Sequence, residues 1–305
     1  MNEFLAKLPF DLYELSLFHT VVRQHSFTKA AELVGLTQSA MTRQIKGMEE
    51  SLGVALLERT TRSVRVTAAG SYLFRESARL LGDVDLALRH LKEEYAGAKK
   101  EIRIGLSRSV SPAYLSGLFN ENLRSKLKVN YRVFCRTGPT LLKNLEANEL
   151  DIAIMCLPER LPPTVMIAHR FPDPGTLIAG RRQGAEYLHL PKNRCARVAW
   201  LQAQPWLGFA VDTTTGHAQQ KWLLKQGINA PLAMELDSFD LIINLASLGL
   251  GVGLVPVRAL SFYDPEKHLV RLPFPEVYER DLVILMRRNR KQPPHLLEFN
   301  RNIQF

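Results

Sequence analysis

SFTKAAELVGLTQSAMTRQIKGMEESL, residues 26–52, reads as two short helices joined by a tight turn, and it decides the organisation of the chain. The second helix has two distinct faces. Met41, Ile45, Met48 and Leu52 recur at helical spacing and form an apolar stripe. Gln38, Ser39, Thr42, Arg43 and Lys46 form the opposite face, polar groups free to reach outward while the stripe docks. A helix lying in the major groove of DNA needs this division. Thr37 is placed to cap it, its hydroxyl accepting from the N–H of Ser39 or Ala40, which would hold the first turn rigid. In the preceding helix Ser26 is a cap, Ala30, Ala31 and Leu33 are small or apolar, and Gly35 suits the left-handed conformation that ends a helix.

Working outward, residues 10–24 place Leu15, Phe18, Val21 and Val22 on one stripe, which with Phe27 and Leu33 would complete a three-helix core. After Gly53 the run VALLERTTRSVRVT has apolar or β-branched arms and a polar tip at 60–63, the pattern of a short two-stranded wing. Arg59, Arg62 and Arg65 lie on or beside it, suited to phosphate or to a narrow minor groove. From Ala68 to about Tyr95 no proline intervenes. Leu73, Ser77, Leu80, Val84, Leu88, Leu91 and Tyr95 follow a near-heptad spacing, so one long helix with a narrow seam is expected to pair with a second chain. The segment 96–100, AGAKK, is its hinge.

Beyond residue 100 the period is that of an α/β domain. EIRIGL, KVNYRVF and DIAIM alternate with helical stretches at 112–125 and 139–150, giving βαβαβ with a parallel sheet. A second α/β unit follows, with strands at 176–180, 206–211, 233–236 and 252–256 and helices near 215–226 and 238–248. A strand at 279–288 and a helix at 294–302 complete the chain. Ligands of such sheets bind at the carboxyl ends of strands. Those ends carry Ser107, Arg108, Ser109 and Ser111; Arg136, Thr137 and Gly138; Thr213, Thr214, Thr215 and His217; and Asp237, Ser238 and Phe239.

The 305 residues suffice for two or three domains. The composition, 46% apolar and 23% charged, is that of a soluble globular protein. The first fifteen residues lack a signal-peptide core, and the apolar run at 241–257 is interrupted by Asn244 and Ser247, so a cytoplasmic protein without a membrane span is expected. Three scattered cysteines, Cys135, Cys156 and Cys195, suit reduced thiols. The net charge is +10, yet residues 1–95 hold 12 Lys+Arg and 12 Asp+Glu. The surplus lies downstream, pointing to an anionic small molecule or a basic face along bent DNA. No G-x-S-x-G, Walker or G-x-G-x-x-G sequence and no metal-spaced His or Cys set occurs, so an enzyme is not expected.

The run SFTKAAELVGLTQSAMTRQIKGMEESLGVALLER, with VTAAG at 66–70, closely resembles the winged helix-turn-helix of LysR-type transcriptional regulators. Beyond residue 100 the resemblance is architectural, including LASLGLGVGLVP in the second lobe. It implies a winged helix-turn-helix at 1–67, a linker helix at 68–95 that pairs two subunits, and a two-lobed, periplasmic-binding-protein-like effector domain at 96–305. Lobe I would hold about 100–172 and 272–305, and lobe II about 173–271. Carried over onto this sequence, Gln38, Ser39, Thr42 and Arg43 become candidates for base edges, and Thr37, Gln44, Lys46 and Arg62 for phosphate or wing contacts. The partners implied are double-stranded DNA with a dyad-symmetric operator, a second and a third and fourth copy of the chain, RNA polymerase, and a small effector, with no cofactor. For the effector, Ser107, Arg108, Ser109, Thr137 and Thr215 are the first candidates, followed by Arg136, Phe209 and Ser238. A redox response through Cys135 or Cys156, or ligand-independent DNA binding, is the alternative. Gly47 inside the recognition helix and the polar, basic loop SRSVS depart from the family pattern.

Overall fold

A computed structural model describes residues 8–59, 64–110, 112–124, 128–263, 269–288 and 292–303. The chain divides into two compact units, Met1–Ala98 and Lys99–Phe305.

In the first unit, α1 (Leu12–Gln24) opens on a capping box: Glu14 N–H donates to the Asp11 carboxylate at 2.7 Å, and Asp11 N–H donates to that of Glu14 at 3.0 Å. Helix α2 (Phe27–Val34) is capped by Ser26 and ended by Gly35 at φ 71°. In α3 (Gln38–Leu52), Thr37 accepts from Ala40 N–H at 3.2 Å. Strands β1 (Leu57–Arg59) and β2 (Val64–Val66) pair antiparallel as the arms of the wing. The tip at 60–63, and Arg62 with it, lies outside the described residues. Met41, Ile45 and Met48 of α3 close the core with Leu15, Leu17, Phe18, Val21, Val22, Ala30 and Ala31. Leu33, expected in that core, is instead 64% exposed. A helix this short turns one narrow arc inward, and Ala30 and Ala31 occupy it.

Gly47 sits in α3 with nothing within 4 Å of where a Cβ would stand. Gly47→Ala is therefore expected to stabilise the helix by up to about 1 kcal/mol, read as a higher urea midpoint. His19 stacks on Phe74 with ring centroids 4.6 Å apart. Burial, and then the charge of Arg23, lower its pKa from 6.5. Its neutral form is favoured in the fold, so this contribution is present above pH 6.5 and lost as the pH falls below it. The protection factors of α1 amides, exchange rates taken relative to the intrinsic rate at each pH, should fall below that pH, and His19→Phe should flatten the dependence.

Helix α4 (Ala68–Tyr95) packs Leu73, Phe74 and Leu81 against this core, while Leu80, Val84, Leu88, Leu91 and Tyr95 remain exposed.

The second unit contains two five-stranded sheets. In chain order its elements are β3 (Lys100–Ser107), α5 (Leu115–Arg124), β4 (Val129–Arg136), α6 (Gly138–Glu146), β5 (Ile152–Cys156) and β6 (Val165–Pro172). These are followed by β7 (Gly175–Gly180), α7 (Arg181–Leu188), α8 (Arg194–Gln202), β8 (Trp206–Phe209), α9 (Thr214–Lys225) and β9 (Leu232–Leu236). Last come α10 (Phe239–Ser247), β10 (Val252–Pro256), β11 (Leu269–Leu272), β12 (Asp281–Arg287) and α11 (Pro294–Arg301). The first sheet runs β4-β3-β5-β12-β6, the second β11-β7-β10-β8-β9. Strands β4, β3 and β5 are parallel as expected, but β12 enters antiparallel between β5 and β6, so the sheet is mixed. Every residue of β5 is buried, both faces being covered. The chain thus leaves the first sheet after Pro172 and returns to it at Asp281. The two crossing strands are tied by Asp173 N–H to Arg280 C=O at 2.8 Å and Gly175 N–H to Tyr278 C=O at 2.7 Å.

Candidate functional site

The carboxyl ends of strands from both sheets face one cleft of about 490 Å³. From the first sheet come Ser107, Arg108 and Ser109 after β3, Thr137, Gly138 and Pro139 after β4, and Met155 and Cys156 of β5. From the second come Phe209, Ala210 and Asp212–Thr215 after β8, then Leu236 and Asp237 after β9. Of the expected effector residues, Ser107, Arg108, Ser109, Thr137, Phe209 and Thr215 are brought together here. Arg136 and Ser238 are not among the lining residues. The exposed Arg136 guanidinium turns back to donate to its neighbour's carbonyl, Cys135 C=O, at 2.8 Å, beside the Phe134 ring. Ser238 caps α10, accepting from Asp240 N–H at 3.2 Å. Ser111 lies outside the described residues.

Hydroxyls converge on the floor. Ser107 and Ser109 Oγ are 3.1 Å apart, and Cys156 Sγ lies 3.7 Å from Ser109 Oγ and 3.9 Å from Thr215 Oγ1. Thr137 bonds the Thr140 hydroxyl at 2.8 Å and leaves the first-turn N–H groups of α6 without a side-chain cap. At the mouth Arg108 Nη1 meets Asp237 Oδ2 at 2.6 Å.

Beneath the floor lies Arg280, which the sequence did not single out. Its Nε donates to Asp173 Oδ2 at 2.6 Å, Nη1 to Cys156 Sγ at 3.1 Å, and Nη2 to Ser109 C=O at 3.2 Å. Tyr114 O–H donates to the other Asp173 oxygen at 2.6 Å, and the Phe239 ring lies 4.8 Å from the guanidinium carbon. Burial pushes the Arg280 pKa down, but Cys156, Asp173 and Tyr114 outweigh it and hold the value above that of an ordinary arginine. Burial pushes the phenol of Tyr278 up to about 12 despite the charge of Arg280. Arg280 therefore stays cationic and clamps the Ser107–Ser109 loop to the crossing strands. Cys135 and Cys195 are exposed, and Cys156 is buried. Among the described residues no His, Cys, Asp and Glu group could hold a metal ion, and no helix is long and apolar enough to cross a membrane.

In the first unit, Thr37, Gln38, Ser39, Arg43, Gln44 and Lys46 are exposed and Thr42 is half-buried, with Ser39, Arg43 and Lys46 on the side of α3 away from its buried stripe. Arg43 has no ion-pair partner among the described residues. Lys46 meets Glu50 at 3.4 Å, an exposed pair that is readily exchanged.

Two family descriptions match, "Bacterial regulatory helix-turn-helix protein, lysR family" over residues 12–71 and "LysR substrate binding domain" over residues 95–304. The chain is 25% identical over 291 residues to the uncharacterized HTH-type transcriptional regulator YfeR of Shigella flexneri, covering 92% of this chain and 89% of that one. It is 26% identical over 271 residues to the HTH-type transcriptional regulator YofA of Bacillus velezensis, covering 89% of each. The fold is shared with the LysR family regulator CbnR, solved in complex with its target DNA (TM-score 0.67, 21% identity, 96% of this chain and 99% of that one). It is shared as well with ArgP from Mycobacterium tuberculosis (TM-score 0.68, 19% identity, 94% and 95%). Helix-turn-helix, wing, long helix and twin-sheet domain follow one another in the order these matches require, and the chain belongs to the LysR family of DNA-binding transcriptional regulators with an effector-binding domain.

Proposed function

We propose that this regulator reads a dyad-symmetric operator as a dimer joined through α4, and that a small carboxylate-bearing molecule in the cleft alters its DNA binding or bending. The carrying observation is the cleft itself, where six expected residues from three separated strand ends line a single space. An effector that bridges both sheets would favour one lobe closure over another, and the dimer or tetramer geometry would follow. The exposed seam Leu80, Val84, Leu88 and Leu91 supports pairing of α4, because a single chain leaves it in water. Acting in the cytoplasm, the protein needs no cofactor, and RNA polymerase is its downstream partner.

Gln38, Ser39, Thr42 and Arg43 take base edges, with Thr37, Gln44, Lys46 and Arg62 on phosphates or beside the wing. Arg43→Ala should cost about 1–3 kcal/mol of discrimination at one base position, measured by binding to a set of single-base operator variants. Uniform weakening across the set would make Arg43 a phosphate contact instead. For the effector, carboxylated metabolites are titrated against the fluorescence of Trp200, Trp206 and Trp222. A response that survives Ser109→Ala with Thr215→Val would reject the cleft. The redox alternative has the contact of Cys156 with Arg280 in its favour; DNA binding unchanged after peroxide treatment would dismiss it.

A further inference from the structure

The charges on the cleft narrow the class of its effector. Its lining holds one cation, Arg108, and two carboxylates, Asp212 and Asp237. Arg280, behind the floor, is already matched by Asp173 at 2.5 Å. Arg108 follows β3 of the first sheet and Asp237 follows β9 of the second, so their ion pair spans the mouth of the cleft. Their side chains are 53% and 59% exposed, and a pair in such contact with water is exchanged at little cost. Asp212 forms no ion pair among the described residues.

A ligand offering only a carboxylate could draw Arg108 away from Asp237. It would then leave Asp237 and Asp212 in the same space as its own negative charge, an arrangement of like charges that opposes binding. A ligand that also carries an ammonium returns a cation to Asp237. The remaining lining fits both ends: hydroxyls of Ser107, Ser109 and Thr137 for the carboxylate, and Met155, Phe209 and Leu236 for an apolar body. We propose that the effector is a zwitterion with one carboxylate and one ammonium, of the α-amino-acid class with an apolar side chain. It replaces the internal ion pair of Arg108 and Asp237 with two pairs of its own. This rests on the cleft being the effector site.

The test is calorimetric titration of the full-length protein with leucine, methionine and phenylalanine, each beside its deamino acid and its decarboxylated amine. At least one amino acid is expected to bind, with its deamino acid and amine weaker by roughly tenfold or more. Asp237→Asn is expected to weaken that amino acid by a similar factor and to leave its deamino acid no weaker. A deamino acid that binds as tightly as its amino acid, an equal loss of both in Asp237→Asn, or no binding by any of the three amino acids overturns the zwitterion. The two levels separate through Ser109→Ala and Thr215→Val. If a compound binds the parent and both variants equally, the cleft is the wrong site. If those variants lose binding while the deamino acid rivals the amino acid, the cleft stands and the zwitterion falls.

Discussion

Asp173→Asn is expected to lower the unfolding free energy of the effector-binding unit by about 3–5 kcal/mol, the cost of stranding a buried charge. The substitution is isosteric, so it removes charge without opening a cavity. Arg280 would keep its cation in a setting where burial already works against it, and Tyr114 would lose the carboxylate to which its hydroxyl donates. All three tryptophans, Trp200, Trp206 and Trp222, belong to this unit, so urea unfolding followed by their fluorescence reports on it. Replacing both partners with Asp173→Asn and Arg280→Met should cost less than Asp173→Asn alone, since no unmatched charge then remains buried. A midpoint unmoved by the single change would mean that water reaches the pair. In molecules that stay folded the Ser107–Ser109 loop should loosen too, because Arg280 Nη2 holds the Ser109 carbonyl.

Gly70→Val should destabilise the DNA-reading unit by about 3 kcal/mol, the upper end of what overpacking costs. A Cβ on Gly70 would stand 2.0 Å from the Leu56 carbonyl oxygen and 2.9 Å from a methyl of Val66. The obstruction is backbone, which cannot rotate aside as a side chain would. The same Leu56 oxygen accepts from Thr67 N–H at 3.0 Å and from the Thr67 hydroxyl at 3.1 Å, and Thr67 in turn caps α4 by accepting from Gly70 N–H at 2.9 Å. Moving α4 away to make room would break that set and separate the linker helix from the wing. Far-UV circular dichroism of residues 1–98 or hydrogen exchange in the intact chain would register the loss. Gly47→Ala serves as the contrasting control, an added methyl in the same unit that meets nothing.

The DNA-reading unit was legible because its signals are local. Caps, left-handed glycines and helical spacing all fall within a few residues of one another, and the structure has Thr37, Gly35 and Met41 in the roles their spacing suggests. Leu33 shows the limit of that logic, since spacing defines a face but not how wide an arc a short helix buries. The strand ends of the effector unit were legible for a related reason: topology places them at one edge whatever lies between. Strand β6 escaped notice because it is an edge strand whose burial follows no clean alternation. Helix α8, with Leu201 as its one fully buried side chain, carries too little stripe to announce itself. Arg280 was invisible for a stronger reason. In EVYERDLV it reads as one more surface charge, and its counterion Asp173 is 107 residues away. Only the crossing of two strands makes them neighbours.

The position of β12 also governs the order of assembly. It lies between β5 and β6, so β6 has no partner in the first sheet until residue 281 and its successors have been made. The second sheet, by contrast, is drawn entirely from residues 175–272, an unbroken stretch. On a ribosome the later lobe can therefore close while the earlier one still waits for its fourth strand, an inversion of the usual N-terminal-first sequence and a long-range closure that slows folding. A chain halted just short of residue 281 would hold a complete second sheet, with Tyr278 in its core, beside a first lobe with an open edge, a form exposed to proteases and to pairing with its own kind.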